Sequence, residues 1–187
     1  MGEWGRGSMP AECSRSGSRS GSRAPRDPRR KMTSLRSAAA AVARARRGGA
    51  RIVVTNGVFD LMHAGHAMLL DRARRLGDLL VVAVNSDASV RRLKGPGRPI
   101  LGQARRARLL AALEAVDLVV IFGEDTPIRV IRALQPDVLV KGGDWKAGTI
   151  VGQDVVERRG GRVVRVPVLE GSSTTALVSR IRRRKSS

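Results

Sequence analysis

The chain of 187 residues holds two histidines, His63 and His66, and both fall in the stretch TNGVFDLMHAGHAMLL, residues 55–70. Imidazoles spaced three apart can do several kinds of chemistry. With a third ligand they bind a metal ion, and Asp60 is nearby in sequence. One of them can act as a general base, although two bases at one point are redundant. They can donate hydrogen bonds to phosphate oxygens, or they can simply cap and pack a helix. Placement narrows this set without closing it. An apolar run ends at Asn56, a glycine turn follows, and a helix begins near Ala64, so both rings flank its first turn. Free amides and the helix dipole favour an anion there and disfavour a cation. Gly65 lets a ligand come close to the backbone.

The elements that must hold this turn are legible as alternation. RIVVTN (51–56), LLVVAVN (79–85), DLVVIF (117–122), DVLVK (137–141) and RVVRVPV (162–168) are short β-branched runs and predict five buried strands. Helices are expected at 64–75, from Ser86, at 103–113, over DTPIRVIRALQP with Thr126 as N-cap and Pro127 at the first helical position, at 151–159 before Gly160-Gly161, and at 173–183. Strands alternating with helices predict a five-stranded parallel sheet covered on both faces, with the site at the carboxyl ends of the strands. Residues 1–49 read as a Ser/Gly/Arg-rich, disordered tail ahead of a domain over 50–184, with 185–187 as a second tail. Within the first of these, 33–47 carries helical composition that Gly48-Gly49 ends.

Composition excludes some classes. One cysteine, Cys13, rules out an internal disulfide framework and any zinc site built from cysteines, which fits a reducing, cytoplasmic setting. No apolar run reaches the length of a membrane span. The net charge of +20 suggests a nucleic-acid binder, but its distribution argues otherwise. Residues 1–50 carry 12 Lys/Arg against 3 Asp/Glu, and the last eight residues add five more basic side chains. Much of the excess therefore lies in terminal segments, where charge runs are commonly solvated.

NGVFDLMHAGH resembles the HxGH signature of the nucleotidylyltransferase superfamily, whose usual form is G-x-F-D-x-x-H-x-G-H. VAVNSDASVRRLKGPGRPI, LLAALEAVDLVVIFGEDTP, LQPDVLVKGGDW and LEGSSTTALVSRI follow in order. Together they resemble the adenylyltransferase domain of the heptose 1-phosphate kinase/adenylyltransferase proteins, over about residues 50–184. The resemblance implies a Rossmann-like three-layer α/β/α fold. It implies transfer of AMP from ATP to D-glycero-β-D-manno-heptose 1-phosphate, with Mg²⁺ accompanying ATP, by a stand-alone enzyme that forms a homodimer. The acceptor is already an anion, so a base has little to do, and the histidines become donors to the phosphate under transfer.

Carried over residue by residue, the resemblance implies catalytic roles for His63, His66 and Lys94, the last reaching the triphosphate. It implies nucleotide binding by Thr55, Asn56, Gly57, Phe59 and Gly65, and by Arg106 as a phosphate clamp, with Arg105 and Arg108 as neighbours and Arg98 further off. Ser172, Ser173, Thr174 and Thr175, at the start of the last helix, form a second anion site. Asp60, Asp87, Lys141, Asp144 and Trp145 are implied contacts to acceptor or nucleotide. The nearest alternative in the superfamily is a cytidylyltransferase for glycerol 3-phosphate or ethanolamine phosphate. Those relatives usually carry RTxGIS before the last helix, where this chain has VLEGSS. A basic nucleic-acid-binding protein on the same fold is the alternative from another class.

Overall fold

The computed structural model describes residues 27–143, 150–167, 174 and 178–181. In chain order the elements are α1 (Pro28–Lys31), β1 (Met32–Thr33), α2 (Leu35–Arg47), β2 (Ile52–Gly57), α3 (Ala64–Arg74), β3 (Leu79–Asn85), α4 (Asp87–Lys94), α5 (Gln103–Ala112), β4 (Leu118–Phe122), α6 (Ile128–Leu134), β5 (Val138–Gly142), α7 (Gln153–Glu157) and β6 (Arg162–Val166). The strands form one parallel sheet in the order β1-β4-β3-β2-β5-β6.

Alternation along the strands builds the two faces. Val53 of β2 and Leu80, Val82 and Val84 of β3 pack with Leu70, Ala73, Ala107 and Leu110 from α3 and α5. Ile52 and Val54 of β2 and Val81 and Ala83 of β3 point the other way, onto Ala38, Val42, Ile131 and Leu134 from α2 and α6. The result is the expected Rossmann-like α/β/α sandwich. Because β2, β3 and β4 are laid down to one side and β5 and β6 to the other, the chain direction switches between β2 and β5. In open parallel sheets the ligand crevice lies at such a point, outside the carboxyl ends of the strands. Thr55 pairs with Val140 in the register, which sets Asn56 beside Lys141 at that end.

Three expectations need correction. The sheet has six strands, since Met32–Thr33 pairs with Val119 and Val120 at the edge beyond β4. Residues 28–47 belong to the domain and not to a tail. Ser34 caps α2 by accepting from the Ser37 amide at 3.1 Å, and the small residues of this helix let it lie flat on the sheet, with Ala38 and Val42 buried. Its Ala-Arg composition resembles a solvated helix only because the buried stripe is two or three small side chains wide. The α6 helix begins at Ile128 with Pro127 as its N-cap, one residue later than expected, and α7 is shorter than 151–159. Thr174 and residues 178–181 are helical; most of the helix expected at 173–183 lies outside the described residues.

Val42→Ala should lower stability by roughly 2 kcal/mol, the effect of deleting buried methyl groups. Urea denaturation checks it, and an unchanged midpoint would return residues 28–47 to the status of a detached tail.

Candidate functional site

The site begins at the end of β2. Gly57 stands there because a Cβ would sit 3.1 Å from the ring of Phe59. Phe59 is buried and has φ +49°, a left-handed conformation that a bulky residue adopts only under constraint. That backbone turns its ring back toward His66, with ring centroids 5.1 Å apart. His66 in turn stacks on His63, with centroids 3.8 Å apart and planes 22° from parallel. His63 is the N-cap of α3, yet its side chain makes no capping bond; its carbonyl accepts from the His66 amide at 2.9 Å. The amides of Ala64 and Gly65 precede the first intrahelical bonds and are left for a ligand.

The stack is uncharged at neutral pH. Burial first, then the charges of His63 and Lys94, pushes His66 down to about 4; burial lowers His63 as well. Both Nδ1 atoms are buried without a partner among the described residues. Two neutral imidazoles with unused hydrogen-bonding capacity, at a helix N-terminus, can donate to phosphate oxygens.

Lys94, exposed at the C-terminal end of α4, faces His66 across a cleft of about 300 Å³ that Val58, Phe59, Asp60, Arg98 and Thr174 also line. Larger hollows of about 470 and 510 Å³ open elsewhere, beside Arg46 and Arg162 and beside Asp71 and Glu114. Neither contains a residue of the imidazole cluster.

Lys141 is buried at the end of β5 and its ammonium donates to Asn56 Oδ1 across the switch between β2 and β5. Burial pushes it down to about 8, so it remains largely charged at neutral pH.

Three residues with implied ligand contacts, Arg106, Asp87 and Asp60, are engaged by the protein itself. Arg106 is fully buried. Its Nε donates to the Leu101 carbonyl at 2.8 Å, Nη1 to the Val58 carbonyl, and Nη2 to the Asn85 carbonyl at 2.8 Å and Asp87 Oδ1 at 2.7 Å. Four of its five N–H groups are committed, so it does not clamp phosphate. Asp87 is its counter-ion; burial raises that carboxyl, but Arg106 and the Gln103 amide outweigh it and hold it below the usual carboxylate range. Asp60 is 4 % exposed and accepts from the Ile100 amide at 2.9 Å, the Leu101 amide at 2.9 Å and Arg98 Nη1 at 3.1 Å. Burial raises its carboxyl as well, and those three donors outweigh it to leave it lowered. Asp60 therefore fixes the loop between α4 and α5.

Thr55 is fully buried and contributes no surface to the cleft, although its hydroxyl has no partner among the described residues. Thr174 lines the cleft; Ser172, Ser173, Thr175, Asp144 and Trp145 lie outside the described residues. Among the described residues no three His, Cys, Asp or Glu side chains come together to hold a metal ion. The carboxylates of Asp60 and Asp87 are engaged by Arg98, Arg106 and backbone amides. Arg98, in the segment GPGRPIL, is the cleft residue that sequence reasoning left unassigned, because only the buried carboxylate of Asp60 singles it out from its neighbours.

The sequence profile of the cytidylyltransferase-like family matches residues 54–180. The chain belongs to that family. As a member of the cytidylyltransferase-like family it is a nucleotidyltransferase. It is 56 % identical over 152 residues to the bifunctional protein HldE of Geotalea uraniireducens, which covers 81 % of this chain and 31 % of that protein. It is 59 % identical over 145 residues to the bifunctional protein HldE of Halorhodospira halophila, covering 78 % of this chain and 30 % of that one. The chain thus spans about a third or less of the length of these curated relatives. A crystal structure described as the lipopolysaccharide core biosynthesis protein from Thermoplasma volcanium is similar at a TM-score of 0.54 and 31 % identity, covering 65 % of this chain and 98 % of that one. No helix among the described residues is long and apolar enough to cross a membrane.

The neutral stack has a measurable sign. A histidine whose folded pKa lies below its unfolded value of 6.5 binds fewer protons folded than unfolded, so its contribution to stability is lost as pH falls from about 6.5 through about 4. In NMR titration of the full chain, the His66 ring should change charge near pH 4. A midpoint near 6.5 would mean that the stack is open to water.

Proposed function

We propose that the chain transfers AMP from ATP to D-glycero-β-D-manno-heptose 1-phosphate, giving ADP-heptose and pyrophosphate. The observation that carries the transfer chemistry is the neutral His63–His66 stack at the start of α3, facing Lys94 across the cleft. The adenylyl donor and heptose acceptor rest on the ordered segments from VNSDASVRRLKG to LEGSSTT, and on the similarity to HldE proteins. The absence of an Arg-Thr pair before GSSTT favours this acceptor over glycerol phosphate or ethanolamine phosphate.

In this reading a phosphate oxygen of the acceptor attacks the α-phosphorus of ATP in line. A new P–O bond forms as the bond from Pα to the bridging oxygen breaks, and that electron pair leaves with pyrophosphate. A phosphate monoester is mostly dianionic at neutral pH, its second pKa being about 6, so no base is needed. The protein aligns the two phosphates and stabilises charge as it develops. His63 and His66 donate to the α-phosphate, and the ammonium of Lys94 draws charge toward the departing pyrophosphate. Lys141 and Asn56 stand at the switch between β2 and β5, where either substrate passes. Mg²⁺ would accompany ATP and neutralise charge on the triphosphate; among the described residues Asp60 and Asp87 are committed within the protein and are not available to hold it. The cytoplasm, which supplies ATP and fits the single cysteine, is the proposed setting, and the family resemblance supports a homodimer.

A pyrophosphate-release assay with ATP and CTP against heptose 1-phosphate, glycerol 3-phosphate and ethanolamine phosphate tests the reading. ATP with heptose 1-phosphate should be the productive pair; turnover of CTP with glycerol 3-phosphate would replace it. His63→Ala and His66→Ala should each lower kcat by roughly the 3–4 kcal/mol attached to one transition-state donor, with little change in ATP affinity. Equal losses in kcat and binding, measured by steady-state kinetics and calorimetry, would reduce the stack to a packing feature.

A further inference from the structure

We propose that Arg98 is a phosphate-binding residue of the transfer cleft; the inference rests on the nucleotidyl-transfer reading of that cleft. The loop from Gly95 to Gly102 joins α4 to α5 and runs along the cleft wall. Three donors of this loop converge on Asp60: the amides of Ile100 and Leu101 and Nη1 of Arg98. Asp60 leaves the turn before α3, so the carboxylate ties the loop directly to the segment that carries the histidines.

The two arginines near the cleft are used in opposite ways. Arg106 has no exposed surface and four of its N–H groups are bound by the protein. The side chain of Arg98 is 21 % exposed, and its ion pair at 3.1 Å to Asp60 is its single side-chain hydrogen bond among the described residues. Most of its guanidinium fork is therefore unused inside a cleft that it shares with His66 and Lys94. An ion pair of this kind adds little stability by itself, because removing both groups from water offsets their attraction. As an anchor it is more useful, because it fixes the fork in advance and leaves the remaining N–H groups to meet a second oxyanion. The charge balance agrees. Among the described residues the cleft lining holds two basic side chains, Lys94 and Arg98, against one carboxylate, Asp60, which already accepts from three donors. The planar fork matches two oxygens of one phosphate, which an ammonium does not. That phosphate belongs either to the leaving pyrophosphate of ATP or to the acceptor, and the same contact chemistry serves both.

The test uses the full chain with Arg98→Ala and Arg98→Lys. Calorimetric titration with pyrophosphate alone, and KM for the acceptor phosphate, separate the two sources. A charge-assisted hydrogen bond of ordinary strength predicts a loss of about 10- to 100-fold in one of these quantities for Arg98→Ala. A weakened pyrophosphate titration assigns Arg98 to the nucleotide side, and a raised acceptor KM with normal pyrophosphate binding assigns it to the acceptor side. Arg98→Lys keeps the charge and loses the fork. It should melt with the wild type and fall between it and Arg98→Ala, a graded response that a purely structural role does not give. If Arg98→Ala does not fold, Arg98→Lys alone carries the test, and a wild-type value for both quantities overturns the proposal. Failure of the wild-type chain to bind either pyrophosphate or ATP would instead overturn the reading of the cleft on which the proposal rests.

Discussion

The guanidinium of Arg106 is the constraint on which the cleft depends. Its four hydrogen bonds reach the turn after β2 at Val58, the end of β3 at Asn85, the start of α4 at Asp87 and the loop before α5 at Leu101. Val58, residues 85–87 and Leu101 are three separate stretches of the chain, and each turns a carbonyl or carboxylate toward the guanidinium. A buried arginine is costly to desolvate, and losing one partner of such a cluster costs about 3–5 kcal/mol. Its value is geometric, since one rigid fork sets the mutual position of three backbone segments. The His63–His66 stack, the carboxylate of Asp60 and the end of α4 that carries Lys94 all stand next to segments it holds.

Around this anchor the chain separates groups that hold structure from groups that meet ligand. Asp60 and Asp87 are both saturated by amides and arginines and are held as anions. The histidines are the reverse case: kept neutral by burial, with nitrogens that the protein leaves unpaired. Phe59 links the two sets. Its left-handed backbone, made possible by the bare Gly57 beneath its ring, is local strain that places an aromatic surface against His66.

The strands were readable because parallel strands buried on both faces are continuous apolar runs, and the HAGH turn was readable because an N-terminal helix start has a local signature. The family resemblance implies a phosphate contact for Arg106, and its sequence neighbourhood, with Arg105 and Arg108, says nothing of burial. Only the fold reveals that four acceptors converge on it. Arg98 was passed over for the complementary reason, since its distinguishing partner, Asp60, is 38 residues away. The error over residues 28–47 came from composition. An Ala-rich helix with four arginines and few apolar anchors looks solvated, yet Ala38 and Val42 are buried against the sheet.

The two margins of the sheet have a further consequence. A parallel sheet ends in strands whose outer amides and carbonyls are free to recruit another chain. Here one margin closes with Met32–Thr33, a strand of two residues that offers almost no length for pairing. The other is β6, where Arg162 and Arg165 are exposed within five residues and put like charges along any copy that aligns with it. An apolar, valine-rich sheet of this kind would be prone to edge-to-edge aggregation while it assembles. The short first strand and the arginines of the last one restrain that association, which gives part of the chain's excess positive charge a role in solubility, separate from phosphate binding.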